Sequence, residues 1–329
     1  MRKLILLIVV FTVVASSLVA FLFFNQNQQG GKLIIPKVTF NYKPKSLDKY
    51  NFEELSKRVY LGSEITLEEV IVEEETYTSW FFSYLSEGKK ITGMANIPKE
   101  GEKMPVILMM RGYADDEIYF TGLGTRKAAG VFAENGFITL APDFLGFGGS
   151  DTCSADILEA RFEKPLTLLN LLASVKNLPQ ADSDKIFFWA HSNGGQIALS
   201  VLEITKEPIP TSLWAPVTTG FPESVLQYIG ELDDQGLKVK NAIDGFLIDY
   251  DPQKYSIDAY FTDITANIQL HQGLSDPLVS EEASDNFAKT MANLSKNINY
   301  YKYPGNDHNL GRDWDMVIQR DLSFFKRHL

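Results

Sequence analysis

Phe187-Phe188-Trp189-Ala190-His191-Ser192-Asn193-Gly194-Gly195-Gln196-Ile197-Ala198-Leu199 runs an apolar stretch into a serine with small residues two before and two after it, then into a helix-like pattern. A serine at such a strand-to-helix turn holds a strained backbone conformation, tolerated only where its neighbours lack bulk, and its hydroxyl stands clear at the top of a sheet. The N-terminus of the helix behind it adds the positive end of a dipole. The five-residue pattern alone is weak, the more so with Ala190 at its first small position, and its flanking elements give it weight. The plainer reading makes Ser192 a helix cap.

Outward from this stretch the chain alternates. Short apolar runs without polar alternation at residues 106–110, 137–141, 186–190, 212–215, 267–270 and 299–303 predict strands buried on both faces. Helix-like stretches at 126–135, 157–177, 197–205, 280–294 and 314–327 fall between and after them. This order predicts an α/β fold with a mostly parallel central sheet flanked by helices. Upstream, β-branched and aromatic residues at 70–72, 77–85 and 91–97, with a turn at Gly88, predict two or three antiparallel strands. Residues 218–263 are too long for a simple connection, which usually takes about 2–6 residues, and are expected to form a small helical cap. No internal repeat is present.

A serine hydroxyl needs a base to take its proton, and an oriented imidazole is the usual solution. Four histidines compete. His191 adjoins Ser192, where its side chain should project away from the hydroxyl and serve packing or orientation. His328 is penultimate and is expected to be solvated, and His271 follows an apolar strand and is expected to support the next loop. His308 lies in Pro304-Gly305-Asn306-Asp307-His308-Asn309-Leu310-Gly311, a Gly-rich turn after the last strand, and is the preferred base. The imidazole needs a carboxylate to fix its tautomer. Asp276, 84 residues after Ser192 and 32 before His308, follows a strand as that role requires; its plainer reading is a helix cap before Pro277. Asp307 is expected to brace the turn. For the oxyanion, the N–H of Asn193 is the first candidate donor, and Met109-Met110-Arg111-Gly112-Tyr113, a strand opening into a loop, offers the N–H of Tyr113 as the second.

On these residues the chain resembles the α/β-hydrolase superfamily, most of all the catalytic domain of the prolyl oligopeptidase family and its dienelactone-hydrolase-like relatives. The matching segments are Gly93-Met94-Ala95-Asn96-Ile97-Pro98, Arg111-Gly112-Tyr113, Pro142-Asp143-Phe144-Leu145-Gly146-Phe147-Gly148-Gly149-Ser150, the serine turn, the 273–276 loop and Asp307-His308, in the family's order. The resemblance implies an α/β-hydrolase domain over residues 64–329, a triad of Ser192, Asp276 and His308, oxyanion donors at Asn193 and Tyr113, and no cofactor. It departs at Arg111, where the family usually has His, so Arg111 is a candidate to pair with Asp143 or to bind substrate, as is His191. It departs also at Ala190, and with fewer than a hundred residues before the fold the family's β-propeller is not expected. Substrate choice is therefore expected to rest on the cap and loops. The implied activity is a serine peptidase acting on a small peptide; a carboxylesterase and a catalytically silent surface-binding module are the alternatives.

Composition sets outer bounds. With 45% apolar and 22% charged residues over 329 positions the chain reads as globular, of one or two domains. A net charge of −11 argues against a nucleic-acid partner, whose phosphates demand Lys and Arg. One cysteine, Cys153, excludes an intrachain disulfide framework. No HExxH, CxxC or GxxxxGK[ST] run supports metal or nucleotide binding. Residues 4–24 carry no charge and are long enough to cross about 30 Å of hydrocarbon. With Arg2 and Lys3 before them they predict a signal anchor or transmembrane helix over 1–24 and an extracytoplasmic domain, secreted if the segment is cleaved near Ala15. Residues 25–63 are expected to form a linker and N-terminal extension.

Overall fold

Strand side chains alternate between the two faces of a sheet, and that alternation divides the core of this protein into two layers. A computed structural model describes residues 45–329 apart from 232, 233 and 235. The expected anchor over 1–24 and the start of the linker lie outside these residues; among the described residues no helix is long and apolar enough to cross a membrane.

Three antiparallel strands come first: β1 (Thr66–Glu73), β2 (Tyr77–Ser86) and β3 (Lys89–Pro98). The turn between β2 and β3 consists of Glu87 and Gly88, both at positive φ (52° and 80°), the twist that a two-residue hairpin requires. Six mutually parallel strands follow: β4 (Met104–Met110), β5 (Ile138–Pro142), β6 (Ala181–His191), β7 (Thr211–Trp214), β8 (Ile268–Gly273) and β9 (Ile298–Tyr303). The order across the single sheet is β1-β2-β3-β5-β4-β6-β7-β8-β9. The helices are α1 (Phe52–Ser56), α2 (Arg126–Glu134), α3 (Ile157–Ser174), α4 (Asn193–Thr205), α5 (Glu223–Leu226), α6 (Leu237–Asp249), α7 (Glu281–Asn293) and α8 (Trp314–Lys326). Val106, Leu108 and Phe188 point into a core completed by residues of α3, α4, α6 and α7. Ile107, Met109 and Phe187 point the other way, to a core completed by α2 and α8.

The expected mixed α/β architecture is present, with three local differences. Strand β6 starts at Ala181, five residues earlier than its apolar run, because its first half is polar and exposed. Strand β8 continues to Gly273, which makes His271 a buried strand residue. Helix α4 starts at Asn193, directly after Ser192. Within residues 218–263 lie α5, α6 and four short 3₁₀ turns, whose Phe246, Tyr255, Ile257 and Phe261 are buried against the α4 side of the core. Part of the expected N-terminal extension is buried there too, through Leu47, Tyr50, Phe52 and Leu55.

One core residue opposes folding. Glu203 in α4 is 2% exposed, and neither carboxylate oxygen has a hydrogen-bond partner. Burial, reinforced by Asp258 and Asp263, raises its pKa well above the ordinary carboxylate range. The folded state therefore holds a proton that the unfolded chain releases near pH 4.5, and stability falls as pH rises above that value. Glu203→Leu is expected to stabilise the protein at pH 7 by about 1–3 kcal/mol in chemical denaturation, the scale of an unsatisfied buried polar group. Glu203→Gln should flatten the decline of stability between pH 5 and 7; an unchanged slope would refute the assignment.

Candidate active site

Because β4 and β6 to β9 are parallel, the segments after them emerge along one edge of the sheet. Arg111 to Tyr113 follow β4, Ser192 follows β6, Asp276 follows β8 and His308 follows β9.

Ser192 sits at φ 55°, ψ −123°, a conformation that costs a non-glycine residue about 1–3 kcal/mol. The surroundings hold it there. Its N–H donates to the Trp214 carbonyl (2.9 Å), and its own carbonyl accepts from Gly195 (2.9 Å) and Val217 (3.0 Å). The small residues of the turn have a physical reason: a Cβ on Gly194 would lie 2.2 Å from the Met110 carbonyl oxygen, and one on Gly195 would lie 2.4 Å from Cβ of Pro216. The strand and helix thus pack backbone to backbone around the serine.

The imidazole of His308 and the carboxylate of Asp276 are joined directly, Nδ1 to Oδ2, at 2.8 Å. A carboxylate only accepts, so Nδ1 carries a proton, which in the neutral ring leaves the lone pair on Nε2. Asp276 Oδ1 accepts from the N–H groups of Leu278 (2.8 Å) and Val279 (2.9 Å), and Gln272 Nε2 donates to Oδ2 (3.2 Å). Burial works against the charge of Asp276, but the His308 bond and the two N–H groups outweigh it and hold the carboxyl below its usual range. The two loops are also stitched through their main chains: Ser275 N–H donates to the Asn306 carbonyl (2.9 Å), and Gly273 runs so close that a Cβ there would lie 2.4 Å from the Asp307 carbonyl oxygen. Asp307 braces its turn, as expected, by accepting from Asn309 and Gly311 (both 3.1 Å).

His191 connects the serine turn to the base loop. Its Nε2–H donates to the His308 carbonyl (2.9 Å), and the two rings lie 4.6 Å apart. Burial, and the nearby His308, push its pKa down to about 4, so it is neutral at physiological pH. Its ring is thus committed to the His308 loop, an orienting position. Among the described residues no hydrogen bond joins the Ser192 hydroxyl to His308 directly; the serine turn meets the His308 loop through His191.

The loop after β4 passes over the serine: a Cβ on Gly112 would lie 2.9 Å from Ser192 Cβ and 3.4 Å from its Oγ. Arg111 is 7% exposed and turned inward. Its guanidinium donates to the Gly112 carbonyl (2.9 Å) and to the main-chain carbonyl of Asp143 (3.2 Å), with its centre 4.2 Å and 4.5 Å from the rings of Phe147 and Tyr119. The expected pairing with the Asp143 side chain is not made. That carboxylate is occupied by the hydroxyls of Thr92 (2.6 Å), Tyr119 (2.6 Å) and Thr121 (2.9 Å). These bonds make Arg111 a clamp on the loop. In a trans peptide the C=O and the next N–H point in opposite directions, so holding the Gly112 carbonyl sets the direction of the Tyr113 N–H. The Tyr113 side chain is exposed and its hydroxyl bonds Asp115 (2.9 Å). The N–H of Asn193 is one of the donors that the first turn of a helix leaves unpaired.

His271 is fully buried, its Nε2 bonded to Asp321 (3.0 Å) and its Nδ1 to the Tyr303 hydroxyl (2.8 Å), away from Ser192 and toward α8. His328 is half-buried rather than solvated, with Nδ1 on the Phe324 carbonyl (2.8 Å). Among the described residues no group of three or more His, Cys, Asp or Glu has the geometry to hold a metal ion.

The same arrangement of sheet and helices occurs in solved structures. Acetyl xylan esterase 1 from Thermoanaerobacterium sp. JW/SL YS485 superposes with a TM-score of 0.60 at 18% identity, over 86% of this chain and 95% of that one. The fold is an α/β-hydrolase fold. Acetyl xylan esterase from Paenibacillus sp. R4 matches it with a TM-score of 0.62 at 16% identity, over 88% of this chain and 98% of that one. Acylaminoacyl peptidase of Pyrococcus horikoshii shares the hydrolase fold with a TM-score of 0.59 at 19% identity, over 78% of this chain but 42% of its own length. No family model and no curated protein matches the chain by sequence.

Two features of the hydrolase domain escaped sequence reasoning. Arg161 and Lys164 of α3 line a cleft beside Asn193, although a basic pair at this spacing usually marks a solvated helix face. Asp321 gathers five side-chain donors beneath the sheet, and nothing in its local sequence signals this.

Proposed function

We propose that this protein is a serine hydrolase that cleaves a carboxylic ester or amide through an acyl-enzyme. The observation that carries the reading is the Asp276–His308 pair at 2.8 Å, on the same sheet edge as a serine fixed at φ 55°. His308 Nε2 takes the Ser192 proton as Oγ bonds to the substrate carbonyl carbon. The charge that develops on the carbonyl oxygen meets the N–H groups of Asn193 and Tyr113, each such donor contributing about 100- to 1000-fold in rate. Collapse of the tetrahedral intermediate breaks the bond to the leaving group, which receives the proton from His308. Water then attacks the acyl-enzyme with His308 again as base, releasing the acid and restoring Ser192.

An ester is the favoured substrate. The chain aligns with 95% and 98% of two acetyl xylan esterases, against 42% of the acylaminoacyl peptidase, and this match in overall extent supports the ester reading over the peptidase implied by family resemblance. Arg111 supports activity rather than silence, since it holds the Gly112 carbonyl in place. A fluorophosphonate probe should label Ser192, and absence of labelling would sink the hydrolase reading. Matched short-chain ester and peptidyl-amide panels should show turnover of the esters; amide turnover at comparable kcat/KM would return the protein to the peptidases. The N-terminal segment proposes a membrane tether with the catalytic domain outside the cytoplasm, testable by protease accessibility in intact cells.

A further inference from the structure

The cleft beside Asn193 has a volume of about 40 Å³, room for a small polar group, and is lined by Arg161 and Lys164. The two lie three residues apart on α3, hence on one face of the helix. Among the described residues no carboxylate lies within bonding distance of either cation. The Arg161 guanidinium bonds Gln196 Oε1 and Ser224 Oγ, both neutral, the second at 3.2 Å. Among the described residues the Lys164 ammonium has no hydrogen-bond or ion-pair partner; Asp116, on the exposed loop after β4, and Cys153 exert a weak pull on it. The acidic residues of the same helix are committed elsewhere, Glu159 to Lys49 and Glu163 to Lys89, both at 2.9 Å. In a chain of net charge −11, two cations with no anionic partner among the described residues, beside the candidate nucleophile, stand out. Burial, with Arg161 and Arg111 nearby, lowers the Lys164 pKa to about 8; burial lowers Arg161 to about 10, so both are predominantly cationic at pH 7.

We infer that Arg161 and Lys164 form a recognition subsite for a carboxylate carried by the substrate, so that the hydrolase acts on anionic esters. This rests on the serine hydrolase reading above. The planar guanidinium and a point-charge ammonium suit a two-oxygen monoanion. The aromatic walls supplied by Phe162, Phe221 and Tyr255 disfavour a doubly charged phosphate, whose desolvation is far more costly. The start of α4, at Asn193, adds the positive end of its dipole.

The carboxylate can sit on the acyl part or on the leaving group, and paired esters separate the two. The acyl arm compares 4-nitrophenyl hemiglutarate with 4-nitrophenyl pentanoate; the leaving-group arm compares 3-acetoxybenzoate with its methyl ester. In one arm kcat/KM should favour the anionic ester by about tenfold or more. In Lys164→Met and Arg161→Met that ratio should fall toward one, each variant serving as its own control through the neutral ester. Ratios at or below one in both arms of the wild-type enzyme overturn the subsite, as does a preference that survives both substitutions. Failure to hydrolyse any of the four esters, together with no fluorophosphonate labelling, marks the different case in which the hydrolase reading itself fails and takes the subsite with it.

Discussion

Ser192→Ala should reduce kcat/KM for esters by about 10⁴-fold or more, and His308→Ala should cost nearly as much, because members of such a unit lose function together. The double variant should be little worse than either single one, a non-additivity that two independent binding defects would not produce. The argument is geometric. Asp276 fixes the proton on His308 Nδ1, leaving Nε2 as the one basic atom of a ring that His191 holds by its main-chain carbonyl. Stability separates chemistry from collapse: Ser192→Ala keeps the main-chain bonds from residue 192 to Trp214, Gly195 and Val217, and its melting temperature should stay near that of the wild type. A His308→Ala enzyme with near-normal turnover would falsify the assignment of the base.

Asp321→Ala should destabilise the fold by about 3–5 kcal/mol in chemical denaturation, the range seen when one partner of a buried charged network is removed. Asp321 is fully buried on α8 and accepts from Ser212 (2.5 Å), Trp214 (2.7 Å), Gln269 (2.8 Å), His271 (3.0 Å) and Trp189 (3.2 Å). The chain of donors continues outward, since His271 Nδ1 meets the Tyr303 hydroxyl (2.8 Å), which accepts from Arg320 (2.7 Å). One carboxylate therefore ties β6, β7 and β8 to α8, and β9 joins through Tyr303. Truncation leaves five donors without their acceptor in a dry interior, which is why the loss should exceed that of an ordinary hydrogen bond. A loss below about 1 kcal/mol would show that water or rearrangement satisfies those donors.

How much of this was legible in the sequence follows from the range of the forces involved. Buried parallel strands write themselves as unbroken apolar runs, so β4, β5, β7 and β9 were placed within about two residues. The polar first half of β6 was missed because exposure there removes the apolar signal. Ser192, Asp276 and His308 were singled out because each sits just after a strand in a turn of small or polar residues. Arg111 stands out in the sequence, but its bonds run to main-chain carbonyls, which every residue carries and no sequence pattern marks. His271 looked like a loop support and proved to be a strand residue, since the partner that buries it, Asp321, lies 50 residues away. The basic pair of α3 needs the fold for the same reason, because the walls facing it come from Tyr50 and Phe52, from Phe221 and Tyr255, and from α4.

That last arrangement separates two kinds of evolutionary change. The cleft walls at Phe221 and Tyr255, and Ser224 that bonds Arg161, belong to the stretch between β7 and β8, whereas the serine turn, its acid and its base are anchored to the strands themselves. Drift or directed randomisation confined to that stretch can retune which molecules are accepted while the reaction machinery stays in register, so new selectivities should be reachable through single steps that each leave a working enzyme.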